Sequence, residues 1–345
     1  MPLLLSAQTQ RIIHFARNYL AVLPISVIAV LPYSVFRGLG QYPLWNALRL
    51  VPVVGWLLVL LFARLNGIRD PAWLAMGQLC VIASLILPVW AILLRHQSGR
   101  SLENPSTPQS SRFRPFLRYS MSSLSSNVPQ LLNLRLDQLL LAAMFAPRAL
   151  GLYVVSVSWS GAVGPALNAV GSVIFPRVAS ETDSVRRAAV FAQGVRIAFI
   201  LAAGTVILLV ASTPVAFPLL LGPSFSAALP TVILLVLAAG IAGVNGVLEE
   251  GLRGMGHPAA PLRAEVAGLL VTGATLYLLL PRWGLIGAAV SSVLSYSVVM
   301  ALLVAQARRY TSLSVQSIVL PTREDLGFVA LRLRSLFGRL RATRG

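Results

Sequence analysis

Lysine is missing from this 345-residue sequence, acidic residues number only ten, and charged residues of every kind make up 11%, against about 25% in an average globular domain. A soluble fold of this length would lack the charge to cover its surface. A single cysteine, Cys80, excludes an intramolecular disulfide. The three histidines, His14, His96 and His257, stand far apart and lack metal-ligand spacing, so no metal and no other cofactor is expected. The opening residues carry no basic segment before their short apolar stretch, so they do not read as a signal peptide.

What the chain has is apolar length. Residues of the apolar classes make up 57%, and the net charge of +18 comes entirely from 28 arginines. Those arginines fall between long apolar runs rather than on one face or domain, which argues against a nucleic-acid partner. A bilayer core of about 30 Å needs roughly 20 apolar helical residues. Nine stretches meet or approach that length, near 12–36, 44–66, 71–95, 116–146, 148–176, 187–212, 226–252, 262–281 and 284–308. No charge occurs from Ile197 to Leu248, too long for one span, and Pro214, Pro218 and Gly222-Pro223 are expected to supply the turn between the sixth and seventh spans. Pro129 and Pro165 interrupt the fourth and fifth. The fold class expected is an all-α polytopic membrane protein.

Cytoplasmic loops accumulate basic residues. Placing 96–115 inside gathers Arg95, Arg100, Arg112, Arg114 and Arg118 there. The same choice internalises Arg177, Arg186, Arg187, Arg253, Arg263 and the Arg-rich tail, leaving only Arg148 and Arg282 of the last six spans outside. The first three spans do not follow the rule, because Arg11, Arg17, Arg64 and Arg69 then lie outside. An internal repeat bears on this oddity. R-G-L-G-Q-Y-P from Arg37 resembles R-G-M-G-H-P from Arg253, an offset of 216 residues. If a second bundle begins near residue 116, the first would begin about a hundred residues before Met1. The expected organisation is therefore a partial three-helix N-terminal bundle at residues 1–95 and a cytoplasmic linker at 96–115. A complete six-helix bundle at 116–308 and a basic amphipathic cytoplasmic tail at 309–345 follow.

A set of motifs in order completes the picture: R-L-D-Q at Arg135–Gln138, A-L-G-L-Y at Ala149–Tyr153 and I-F-P-R at Ile174–Arg177. G-P-S-F at Gly222–Phe225, R-G-M-G at Arg253–Gly256 and W-G-L-I-G-A-A at Trp283–Ala289 follow, with W-N-A-L-R-L at Trp45–Leu50 earlier. Together they resemble the Wzx-type polysaccharide and O-antigen flippases of the MATE-like multidrug/oligosaccharidyl-lipid/polysaccharide (MOP) exporter superfamily, without the first three helices. The resemblance implies a transporter rather than an enzyme. It would carry an undecaprenyl-pyrophosphate-linked oligosaccharide across the bacterial inner membrane by alternating access between two bundles, with polysaccharide polymerases or glycosyltransferases as partners. The competing readings are another MOP transporter such as a lipid II flippase or drug exporter, a polytopic glycosyltransferase or ligase, and a nonfunctional fragment. A basic cavity would favour the pyrophosphate substrate and an acidic one a cationic drug.

Ionisable residues at membrane depth cost about 2.5–3.5 kcal/mol each and mark functional candidates. On a helix, Ser123, Ser126, Gln130, Asn133 and Asp137 share one stripe, flanked by Asn127 and Gln138, while Arg135 points away from it. Hydroxyls, amides and a carboxylate in line suit a wet path for sugar hydroxyls, although the same residues can serve as interhelical hydrogen-bonding groups. The candidate substrate-cavity residues are Ser123, Ser126, Asn127, Gln130, Asn133, Arg135 and Asp137. A second cluster holds Asn245, Glu249, Glu250 and Arg253, where i, i+4 spacing allows an ion pair. Glu249, Glu250 and Arg253 read either as a coupling-ion site or as a stabilised helix end. In the tail, Thr322 and Asp325 form a capping-box-like start. Leu326, Val329, Ala330, Leu333, Phe337 and Leu340 then mark an apolar face, with Arg332, Arg334, Arg339 and Arg341 on the rest. That pattern predicts a helix lying on anionic lipid.

The arginine distribution predicts the orientation directly. A reporter active only in the cytoplasm should give signal when fused after Gly345 and stay silent when fused before residue 10; the opposite pattern would reverse the topology.

Overall fold

The computed structural model describes residues 41–68, 70–98, 128–329 and 331, with residues 19–20, 24, 27–29, 31–33 and 35–36 of the preceding segment. Six of its helices are long and apolar enough to cross a membrane, and no strand occurs among the described residues. The chain is an all-α polytopic membrane protein. It divides into two compact units, Met1–Phe113 and Arg114–Gly345.

The first unit contains α1 (Tyr42–Leu65), α2 (Pro71–Ser84) and α3 (Ile86–Ser98). Proline opens α2 at a position where a missing N–H costs nothing, and the Asp70 side chain accepts from the Ala72 N–H at 2.9 Å. The third predicted span, 71–95, is present as Pro71–Arg95, with α2 and α3 meeting within it at Leu85. Pro88 explains the break, because it cannot donate to the Ser84 carbonyl four residues back and its ring crowds that group. Tyr33, Phe36, Leu48, Val89 and Leu93 form a small core. Leu50, Leu57, Leu58 and Leu65 of α1 remain exposed, as side chains facing lipid do.

The second unit holds α4 (Leu136–Met144), α5 (Pro147–Ser160), α6 (Gly164–Ser180), α7 (Ser184–Leu221), α8 (Leu229–Gly254), α9 (Ala259–Thr311) and the short α10 (Val315–Val319). Helix α8 is the central pillar, packing against α5, α6, α7 and α9. Its Val232, Leu248 and Leu252 join Leu167, Phe191, Phe217 and Leu303 in the main apolar core.

Proline proved a poor guide to breaks. Helix α7 runs through Pro214 and Pro218 and ends only at Gly222, whose φ of 101° no L side chain adopts readily. Tertiary contacts carry the helix past the prolines: Trp159 donates to Thr213 Oγ1 at 3.0 Å and packs edge-on against buried Phe217. Pro165 sits in the first turn of α6, just after a 3₁₀ turn at Gly161–Val163, so the fifth span bends there. Pro129, by contrast, lies within helical residues 128–133, and the fourth span breaks at Leu134–Arg135 instead. The eighth and ninth spans are two helical arms, joined within α9 by the non-helical Gly284 with φ 52° and ψ −126°. A Cβ on Gly287 would stand 2.3 Å from the Leu279 carbonyl oxygen, so the tight return of the chain after the kink depends on that missing side chain.

Beyond α9 the tail returns to the bundle. The Thr322 N–H and hydroxyl donate to Asp325 at 2.9 and 2.7 Å, and the Asp325 N–H donates to Thr322 Oγ1 at 3.3 Å, starting a helix at residue 323. Asp325 is 1% exposed and receives Arg196 Nε from α7 at 2.6 Å. Arg196 also donates to the Ser317 carbonyl at 2.8 Å. The buried ion pair is the link that the capping pattern alone did not announce. Ala330 and the rest of the predicted amphipathic face from 332 onward, with its four arginines, lie outside the described residues.

Two outcomes follow. Gly287→Ala should cost about 1–3 kcal/mol, because backbone rather than a movable side chain must shift, read as a lower thermal midpoint in detergent. Asp325→Ala should loosen residues 315–329 by about 3 kcal/mol or more, since it strands a half-buried guanidinium, read by hydrogen exchange. Burial raises the Asp325 pKa, but the bonds from Arg196 and Thr322 outweigh it and leave the net shift downward. A depressed folded-state value means the stabilisation is complete above the ordinary carboxylate range near pH 4. Exchange protection of the tail should therefore persist at neutral pH and fade only as the pH drops through Asp325's own lower value.

Candidate functional site

A cavity of about 370 Å³ opens among α4, α5, α6, α8 and α9, at the small end of ligand-site volumes. The segment 128–144 supplies one wall. Gln130, Asn133 and Asp137 line it at i, i+3 and i+7, as one helical face requires. Arg135 is placed differently: it lies at the break, is absent from the lining, and donates to Gln138 Oε1 at 3.1 Å. Its assignment to the cavity is corrected accordingly. Ser123, Ser126 and Asn127 lie outside the described residues.

Each stripe residue is engaged by another helix. Gln130 Nε2 donates to Glu249 Oε2 of α8 at 3.1 Å. Asn133 Nδ2 donates to Glu265 Oε2 at 3.1 Å, and Asn133 Oδ1 accepts from Thr272 and, at 3.1 Å, from Ser295, so one amide ties both arms of α9. Asp137 accepts from the Tyr153 hydroxyl of α5 at 2.5 Å, from the Gln138 N–H at 2.6 Å and from Ser292 at 3.5 Å. Asn133, Asp137, Glu249 and Glu265 are all buried. Buried polar groups of this kind persist only when paired, which is what the bonds achieve.

The two clusters read separately from the sequence meet through the Gln130–Glu249 bond. Arg253 donates to Glu249 at 3.2 Å and to Glu250 at 2.7 Å, so one guanidinium serves two carboxylates. Glu249 Oε1 has no hydrogen-bond partner among the described residues, and Glu265 is its electrostatic neighbour across the α8–α9 interface. No cation lies within salt-bridge distance of Asp137 or Glu265 among the described residues. The described lining is therefore acidic. No grouping of His, Cys, Asp and Glu among the described residues suits a metal ion.

Sequence reasoning missed Glu265, Tyr153, Thr272, Ser292 and Ser295. Glu265 carried the very signal used elsewhere, an acid inside an apolar span, and was not picked out. Single hydroxyl residues on apolar helices carry no signal until a partner helix is known. Arg37 to Gly40, the body of the first repeat motif, lie outside the described residues.

The family model described as "Polysaccharide biosynthesis protein" matches residues 74–230. No curated protein sequence matches the chain. Among solved structures, the chain is similar to the lipid II flippase MurJ in its inward closed conformation, with a TM-score of 0.69 at 10% identity, covering 89% of this chain and 66% of that one. It is also similar to an outward-facing MATE-family multidrug resistance transporter of the MOP superfamily, with a TM-score of 0.48 at 20% identity, covering 61% of this chain and 49% of that one. The chain thus spans slightly less than two thirds of the MurJ structure's length, and at 10% identity what the two share is the fold.

Proposed function

We propose that the chain is a MOP-superfamily flippase of the bacterial inner membrane that carries a lipid-linked saccharide between leaflets, specifically an undecaprenyl-pyrophosphate-linked oligosaccharide moving outward. The observation that carries this reading is the line of half-buried Gln130 and buried Asn133 and Asp137 on a cavity, in a bundle that shares the MurJ fold. The match to a polysaccharide-biosynthesis family over 74–230 supports a saccharide rather than a drug. Amides and hydroxyls along the wall exchange hydrogen bonds with sugar hydroxyls in place of water.

In this mechanism Glu249, Glu250 and Glu265 form the coupling site. Three carboxylates with one guanidinium leave surplus negative charge in a medium where uncompensated charge is costly. A proton balances it, and its uptake and release drive the change of access. The acidic lining gives one competing reading its support, since a carboxylate wall attracts an organic cation; in that case the chain exports cationic compounds.

The test is reconstitution in liposomes with a fluorescent lipid-linked oligosaccharide. Asp137→Ala should slow flipping about tenfold or more, because hydrogen bonds to a charged group are worth about 1.5–3 kcal/mol, whereas Leu219→Ala, at a residue 78% exposed and away from the cavity, should not. Glu265→Gln should remove the dependence of flipping on an imposed pH gradient. Transport of a cationic dye without lipid flipping would overturn the saccharide reading in favour of the cation exporter. In a background without Cys80, cysteines at 130, 133 and 137 should react with a membrane-impermeant thiol reagent, and absence of labelling in inserted protein would remove the cavity from the mechanism.

A further inference from the structure

A second cavity, of about 540 Å³, lies between α6 and α7, away from the polar stripe. Its walls are apolar along Ala166, Ala169, Val173 and Ile174 on one helix and Ile197 and Leu201 on the other. Gly194 deepens it, because a side chain there would collide with Ile174. Arg177 stands at one end, in the last turn of α6, and Phe328 from the tail helix closes that region.

Dimensions select the occupant. From Ala166 to Arg177 the groove spans eleven residues, about 17 Å at the rise of an α-helix, which is close to one leaflet of a hydrocarbon core about 30 Å thick. Its apolar walls and leaflet-scale length suit a run of methylenes. Charge selects the headgroup. Arg177 is exposed, and no carboxylate lies within salt-bridge distance of it among the described residues. It is also among the arginines assigned to the cytoplasmic side, and guanidinium binds phosphate oxygens in a bidentate manner.

We propose that this groove seats an anionic glycerophospholipid of the cytoplasmic leaflet, one acyl chain between α6 and α7 and the phosphate on Arg177. Because Phe328 forms part of the wall, the seat is completed only when the tail helix is docked through Asp325 and Arg196. The bound lipid and the docked tail then stabilise one another, as any two events sharing a surface must. The site is independent of what the protein transports.

Native mass spectrometry of the purified full chain, with added phosphatidylglycerol or phosphatidylcholine, tests the assignment. The wild type should retain one phosphatidylglycerol about tenfold more strongly than phosphatidylcholine. Ala169→Trp, which fills the groove from an exposed position, should abolish retention, and Arg177→Gln should equalise the two lipids. If Ala169→Trp fails to give monodisperse protein, Val173→Trp fills the same space from another exposed position and should act alike. Equal retention of both lipids by the wild type would overturn the anionic assignment. Retention unchanged in the groove-filling variants would overturn the site, and so would a dimer of the wild type that either variant dissociates, which would assign the groove to a second copy.

Discussion

Hydrocarbon offers no hydrogen bonds, so every polar side chain carried into it must find its partner within the protein. The second unit is organised by this constraint. Asn133 alone holds Glu265 and Thr272 of the first arm of α9 and Ser295 of the second, while Asp137 holds Tyr153 of α5 and Ser292. Gln130 reaches α8 through Glu249. The stripe is therefore at once the wall of a cavity and the fastening of four helical segments, and no change to it acts on one role alone.

Such fastening matters because apolar packing has little preference for register in a membrane, where lipid tails are as apolar as leucine. Hydrogen bonds between specific atoms supply the register instead. The break at Leu134–Arg135 fits this division of labour. It turns Arg135 outward to Gln138 while its neighbours on either side, Asn133 and Asp137, keep their partners inside. At the other end of the unit, Arg196 does for the tail what Asn133 does for the bundle, reaching both Asp325 and the Ser317 carbonyl beside buried Ile318.

The sequence was most legible where the physics is one-dimensional. Length and apolarity located the six helices that, among the described residues, are long and apolar enough to cross a membrane, and the Thr322–Asp325 spacing located the start of the tail helix. Helical geometry alone separated Arg135 from Gln130, Asn133 and Asp137. It was least legible where the answer depended on a partner helix. Pro214 and Pro218 read as a turn, yet Trp159 and Phe217, far apart in sequence, keep them helical. Glu265 was not singled out at all, and its role appears only once Asn133 lies opposite it. The buried partner of Asp325 was equally invisible, because an arginine 129 residues away leaves no local pattern.

Charge balance links the two polar clusters under the proposed function. Arg253 is the guanidinium bonded to Glu249 and Glu250, so both these contacts are carboxylates. A pyrophosphate arriving at this side of the bundle competes with Glu249 and Glu250 for that guanidinium. A carboxylate displaced from its cation in a low-dielectric setting is neutralised most cheaply by a proton. Headgroup binding and proton uptake then favour each other, and thermodynamic reciprocity makes proton release weaken the hold on the headgroup by the same factor. An acidic wall is thus compatible with an anionic substrate, provided that the acids and the substrate compete for one arginine rather than face each other across the cavity.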